Sequence, residues 1–113
     1  GASRSSGHSH QGLDIVVIPG QVIKSQISGK VTRHNRPYPN DSRYSGITIV
    51  SGTTEVKIFY VQPTAAVGSN VNAGDNIAIA QDISAKYKTP MQPHAHVEIR
   101  ENGILKNPED YFA

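Results

Sequence analysis

Two short runs at opposite ends of this 113-residue chain hold residues able to do chemistry: His10-Gln11-Gly12-Leu13-Asp14 and His94-Ala95-His96. Imidazoles and carboxylates bind divalent metals and carry protons. If folding brings the two ends together, they form a two-His, one-carboxylate site with one His to spare. Zinc favours that composition, with three protein ligands and a fourth position open to water. HxH and HxxxD are each weak signals alone, because His pairs on exposed strands are common. With only five His in the chain, the two groups gain weight together.

The elements that must position them follow from the surrounding residues. Pro93-His94-Ala95-His96-Val97-Glu98-Ile99-Arg100 alternates and is rich in β-branched residues, so it reads as a strand. Residues two apart on a strand share a face. His94, His96 and Glu98 are therefore expected on one side, Val97 and Ile99 on the other. One His can then bind a metal while its neighbour, roughly 7 Å along, hangs over the open position. His10 and Asp14 would be about 13 Å apart on a flat strand, too far to share an ion. Gly12 and the run Ile15-Val16-Val17-Ile18 argue against a helix. A bend at Gly12 is expected, with His10 before it and Asp14 opening a strand.

Most of the remaining chain also reads as short strands and turns. Leu13 to Ile18 is a near-continuous apolar strand closed by Pro19-Gly20, and Gln21 to Gln26 alternates loosely. Ser28-Gly29-Lys30-Val31 reads as a turn into a strand through Thr32 and Arg33, and Asn35 to Ser45 as a long polar loop. Gly46 to Val50 and Glu55 to Gln62 form a hairpin around Ser51-Gly52-Thr53-Thr54. Asn76 to Ala80 is a strand. Gln81 to Pro93 is a second long loop with room for a helical turn at Ser84 to Tyr87. Asn102-Gly103 is a tight turn after the HxH strand, and Pro108 to Tyr111 has the signals of a closing helical turn. Many short strands with no long amphipathic helix predict an all-β, mostly antiparallel domain.

Composition narrows the function classes. One domain fits in 113 residues. Residues 1–9 are rich in Ser and Gly and read as a flexible segment or tag remnant around Gly1-Ala2-Ser3, so His8 is set aside, and the domain is expected at 10–113. With no signal peptide in view, the chain reads as a mature product or an excised domain. No run approaches the roughly 20 apolar residues of a membrane span. The absence of cysteine excludes disulfides, thiolate metal sites and a Cys nucleophile. The mild charge of +2 is concentrated around Lys30, Arg33, Arg36 and Arg43. That region reads first as a solvated loop and second as an attractor for an anionic polymer. Few aromatics accompany it, which argues against a nucleic-acid platform.

Several motifs in order resemble the lysostaphin-type, LytM-like zinc metalloendopeptidases that cut peptide cross-links in bacterial peptidoglycan. They are His10 to Asp14; Pro19-Gly20-Gln21-Val22 with Ser28-Gly29-Lys30-Val31; Val67-Gly68 with Val71-Asn72-Ala73-Gly74-Asp75; and His94 to Gly103 followed by Asn107-Pro108 and Tyr111. The resemblance covers about nine-tenths of the chain. It implies a LytM-like β domain with long loops forming a groove, zinc held by His10, Asp14 and His96, and a catalytic His94. It further implies a secreted, periplasmic or cell-wall-facing hydrolase, expected as a monomer when isolated.

One family feature is missing. A Tyr-Ala-His-Leu segment on a central strand usually supplies a further His, and here the segment reads Ile58-Phe59-Tyr60-Val61-Gln62-Pro63. In this region, and at Arg36 to Asn40 and Ser45 to Ile47, the chain is similar to the branch typified by leukocyte cell-derived chemotaxin 2. That branch implies a zinc-binding module that recognises a peptide, glycan or protein partner without cutting it. Tyr60 can replace the missing His in part, because a phenol donates a hydrogen bond but is a poor base near neutral pH. Its other reading is a core or edge tyrosine.

Overall fold

The computed structural model describes residues 13–82 and 94–106. Within them lie ten strands: β1 (Leu13–Val16), β2 (Val22–Lys24), β3 (Gly29–Asn35), β4 (Gly46–Ser51), β5 (Thr54–Phe59), β6 (Val61–Pro63), β7 (Asn70–Val71), β8 (Asn76–Ala80), β9 (His94–Glu101) and β10 (Ile104–Lys106). Every pairing is antiparallel. The all-β, antiparallel architecture expected from the alternation is therefore the one observed.

Seven strands form the larger sheet, in the order β1-β9-β5-β4-β3-β7, with β10 also on β9. A smaller sheet has the order β2-β8-β6. β9 is the axis of the large sheet. β5 pairs along His96 to Glu101, while β1 and β10 pair with successive stretches, β1 with His94 to Val97 and β10 with Ile99 to Glu101. The first described strand is thus hydrogen-bonded directly to the HxH strand.

The core lies against one face of this sheet. Ile47 and Ile49 of β4, Val56 and Ile58 of β5, and Ala95, Val97 and Ile99 of β9 are buried, with Ile77, Ala78 and Ala80 of β8 and Val61 of β6 joining them. Each large aliphatic side chain so buried contributes about 1.5–3 kcal/mol of transfer free energy. The intervening residues His94, His96, Glu98 and Arg100 are half-buried on the opposite face. Period-two alternation therefore assigns the core to one side of β9 and the chemistry to the other.

Two turns follow their local sequence closely. Asn102 and Gly103 both have positive φ, 54° and 80°, the signature of a type I′ hairpin. Gly52, at φ 59°, opens the β4–β5 hairpin. The two turns abut through the Asn102 amide on the Thr53 carbonyl at 2.9 Å. Glu101 accepts from the hydroxyls of Thr53 and Thr54 at 2.8 Å.

Two strand expectations need correcting. β1 stops at Val16, not Ile18, because Ile18 is drawn into the following turn. Its carbonyl accepts from the Gln21 amide at 2.8 Å, and its amide donates to Gln21 Oε1 at 2.9 Å. The expected strand Glu55 to Gln62 is two strands, broken at Tyr60, whose φ is 69°. β5 belongs to the large sheet and β6 to the small one, so the chain changes sheets at this residue. The amides of Tyr60 and Val61 both donate to the Ser45 carbonyl, at 2.8 and 3.1 Å. The helical turn expected at Ser84 to Tyr87, the bend at Gly12 and the Pro108 to Tyr111 tail lie outside the described residues.

Gly46, beside this break, has no room for a side chain. A Cβ there would lie 2.6 Å from the Ile58 carbonyl oxygen and 2.9 Å from Phe59 Cδ1. Gly46→Ala is expected to destabilise the domain by about 1–3 kcal/mol, read as a lower urea midpoint with an unchanged slope. An unchanged midpoint would contradict the close approach of β4 and β5.

Candidate functional site

β1 contributes Asp14 directly opposite His96 of β9, with Val16 opposite His94. Residues facing each other in a ladder share a face of the sheet, so the carboxylate and the imidazole project side by side. His96 Nδ1 lies 2.8 Å from Asp14 Oδ1, and His94 Nε2 lies 3.9 Å from the same oxygen. The pairing thus brings together Asp14, His94 and His96, three of the four chemistry-bearing residues read from the two runs. The fourth, His10, lies outside the described residues. Among the described residues no group of three or more His, Cys, Asp or Glu side chains is arranged to hold an ion by itself.

A carboxylate oxygen and an imidazole nitrogen 2.8 Å apart require either a proton or a cation between them, since two bare lone pairs would repel. Two ligands of a tetrahedral zinc at ordinary bond lengths stand about 3.3 Å apart. Replacing the proton by an ion asks for a movement of only a few tenths of an ångström. Asp14 and His96 therefore fit two of the positions around such an ion.

Aromatic side chains wall the site. Phe59, opposite His96 in the β5–β9 register, stacks on the His96 ring at a centroid distance of 6.1 Å and 23°. Tyr60 meets the His94 ring edge to face at 5.6 Å and 90°. In a regular strand these consecutive residues would point to opposite faces. The left-handed backbone at Tyr60 turns both toward the histidines. Such a conformation is uncommon for a bulky residue and costs about 1–3 kcal/mol.

The hydrogen bonds to Ser45 hold this backbone on one side, and the Gln81 amide donates to the Tyr60 carbonyl at 3.0 Å on the other. Tyr38, from the long polar loop, stacks on Tyr60 at 5.9 Å and 21°, with the two hydroxyls 3.3 Å apart. Tyr44 adds an edge contact to Tyr38 at 6.0 Å and is itself buried.

The family is decided by comparison with known proteins. The profile described as Peptidase family M23 matches residues 8–108. This chain belongs to peptidase family M23. Curated relatives include leukocyte cell-derived chemotaxin-2 of Bos taurus, 28% identical over 104 residues covering 91% of this chain and 66% of the relative. The Mus musculus protein of the same name is 31% identical over 98 residues, covering 86% and 63%. The chain thus spans about two thirds of their length. Among solved structures, the catalytic domain of the antimicrobial peptidase lysostaphin from Staphylococcus simulans shares the fold, with a TM-score of 0.65 and 20% identity over 88% of this chain and 76% of that one.

Within this M23 domain, several neighbours of the site carry no sequence signal of their own. Tyr38 and Phe59 are ordinary aromatics in a loop and a strand. Gln81 carries three contacts at once. Its side chain accepts from the Ser45 amide at 3.0 Å and donates to the Arg43 carbonyl at 2.6 Å, while its main chain binds Tyr60. It ties the 36–45 loop to the end of β8. In the same loop, Asp41 takes the Arg43 guanidinium in a two-point contact at 2.8 and 2.9 Å and pushes its pKa up.

Gln81→Ala removes both side-chain bonds, each worth about 0.5–1.5 kcal/mol. The variant is expected to keep the fold while the Ser45 and Tyr60 amides exchange with solvent faster than in the parent. Unchanged hydrogen-exchange rates at both amides would show that Gln81 does not hold the loop.

Proposed function

We propose that this domain is a zinc-dependent endopeptidase that hydrolyses peptide cross-links of bacterial peptidoglycan outside the cytoplasm. The observation that carries this reading is the convergence of His96 and His94 on one Asp14 oxygen, with Tyr60 against His94, in a chain of peptidase family M23. The fold likeness to an antimicrobial peptidase supports it.

In this reading His10, Asp14 and His96 hold the metal and His94 remains outside the ligand set. Zinc held there would lower the pKa of a bound water towards about 7 and polarise the scissile carbonyl. Every other role falls to the chain. His94 takes the proton from the attacking water and passes it to the departing amine, the ordinary work of a positioned imidazole. Tyr60 donates its phenolic hydrogen bond towards the oxygen on which charge develops. Tyr38, stacked on Tyr60, keeps that ring from turning away. Asp14 and His96 need a rigid frame, and the β1–β9 ladder supplies it.

A second reading has its own support. The curated relatives at 28% and 31% identity are both named leukocyte cell-derived chemotaxin-2, and the Ile58 to Pro63 segment lacks the second catalytic His usual in the family. In that reading the same three residues bind zinc and the groove recognises a peptide, glycan or protein without cutting it. We favour the enzyme, because a purely structural cross-link has no need of the retained His94.

Three variants test the assignment. Asp14→Ala is expected to lose zinc on equilibrium dialysis and with it the stabilisation that metal binding adds to the folded state; full occupancy would sink the ligand assignment. His94→Ala should retain zinc and lose hydrolysis, and a clear fall in zinc affinity would make it a fourth ligand and the site a closed one. Tyr60→Phe should retain zinc and slow the reaction by about 10²- to 10³-fold. If the parent, saturated with zinc, releases no new amine ends from differently cross-linked walls, the binding-module reading takes its place.

A further inference from the structure

We propose that Glu98 is a positioning residue for His96: it fixes which ring nitrogen faces Asp14, and so makes His96 a competent metal ligand. This rests on the zinc site proposed above.

Three observations carry it. Glu98 lies two residues beyond His96 on the same face of β9, and its Oε2 is 3.2 Å from His96 Nε2. Nδ1 of the same ring is 2.8 Å from Asp14. The imidazole is thus held between two carboxylates, one at each nitrogen. With zinc in place of the proton between Nδ1 and Asp14, the ring hydrogen would sit on Nε2, where Glu98 is placed to accept it. A hydrogen bond on one ring nitrogen sets what the other can do, and metal-binding histidines generally use such an outer carboxylate.

Glu98 is itself held. Arg100 Nη1 lies 3.2 Å from its other oxygen, Oε1, and 3.8 Å from Glu55 Oε1. Lys57, opposite Glu98 in the β5–β9 register, lies 3.9 Å from the same Glu55 oxygen. The Arg100 contact occupies Oε1 and leaves Oε2 to His96. Phe59 stacks on the imidazole face and limits rotation out of this plane. Ring plane and proton position are therefore set by two different neighbours, Phe59 and Glu98, neither of which belongs to the proposed ligand set. The cation beside Glu98 gives the carboxylate a partner other than the metal, which favours the outer role.

The test uses the full chain in three forms: parent, Glu98→Gln and Glu98→Ala. Zinc affinity is measured by competition with a chelator. Long-range proton–nitrogen spectra of the zinc-loaded proteins report which His96 nitrogen carries hydrogen. The parent is expected to show a protonated Nε2 and a metal-bound Nδ1. Glu98→Ala should bind zinc about 10- to 100-fold more weakly and lose the sheltered Nε2 hydrogen signal. Glu98→Gln, whose amide oxygen still accepts from Nε2, should keep that signal and recover most of the affinity. If Glu98→Ala fails to fold, a Glu98→Gln protein with the parent's affinity but no sheltered signal overturns the proposal. Affinity within threefold of the parent, with the signal intact, in a folded Glu98→Ala protein also overturns it. A parent that binds zinc without His96 overturns both this inference and the ligand assignment. A parent that binds zinc through His96 while neither variant differs from it overturns this inference alone.

Discussion

The pairing of β1 with β9 is the interaction on which the rest of the site depends. It joins residues 82 positions apart in the chain and places Asp14 across from His96 in a fixed register. A slip of one residue would put an apolar neighbour, Leu13 or Ile15, opposite His96 and turn Asp14 towards the core face. The register is protected because the same slip would turn Ile15, which packs against the core, to the outer face. Burial of the inner face and assembly of the outer one are two consequences of a single alternation. β5 and β10 reinforce it by pairing with the remaining length of β9.

The break at Tyr60 is the second determinant. A strand running unbroken from Glu55 to Gln62 would offer the histidines one aromatic ring and bury the next. The left-handed residue instead gives two adjacent rings to one face and passes the chain to the second sheet. Its backbone strain is opposed by hydrogen bonds from both sides, to Ser45 and from Gln81. Strain held by surrounding structure is common at functional sites. Here it has a visible consequence, the contact of Tyr60 with His94.

The sequence made some of this legible and left other parts silent, for physical reasons. The HxH strand, its two faces, the Asn102-Gly103 hairpin and β8 follow from local periodicity and turn chemistry, which act over a few residues. Asp14 and His96 could be named as partners only if the ends met, and the ladder that brings them together is a long-range contact with no local signal. The left-handed Tyr60 was invisible because tyrosine is not a turn former; the tertiary bonds to Ser45 and Gln81 impose its conformation. Tyr38 and Gln81 escaped for the same reason, since their partners lie 22 and 36 residues away. Glu98 was readable as a residue on the site face, but its contact with His96 depends on side-chain rotamers that no spacing rule gives.

In the proposed function, the β1–β9 ladder brings together part of a three-ligand zinc site whose fourth position lies beside His94. A zinc-edge anomalous difference map from crystals of the loaded protein tests it most directly. One metal peak is expected, held by Asp14, His96 and His10 with one position left to solvent and His94 outside the ligand set. A peak away from the Asp14–His96 pair, or one with His94 as its fourth ligand, would contradict it.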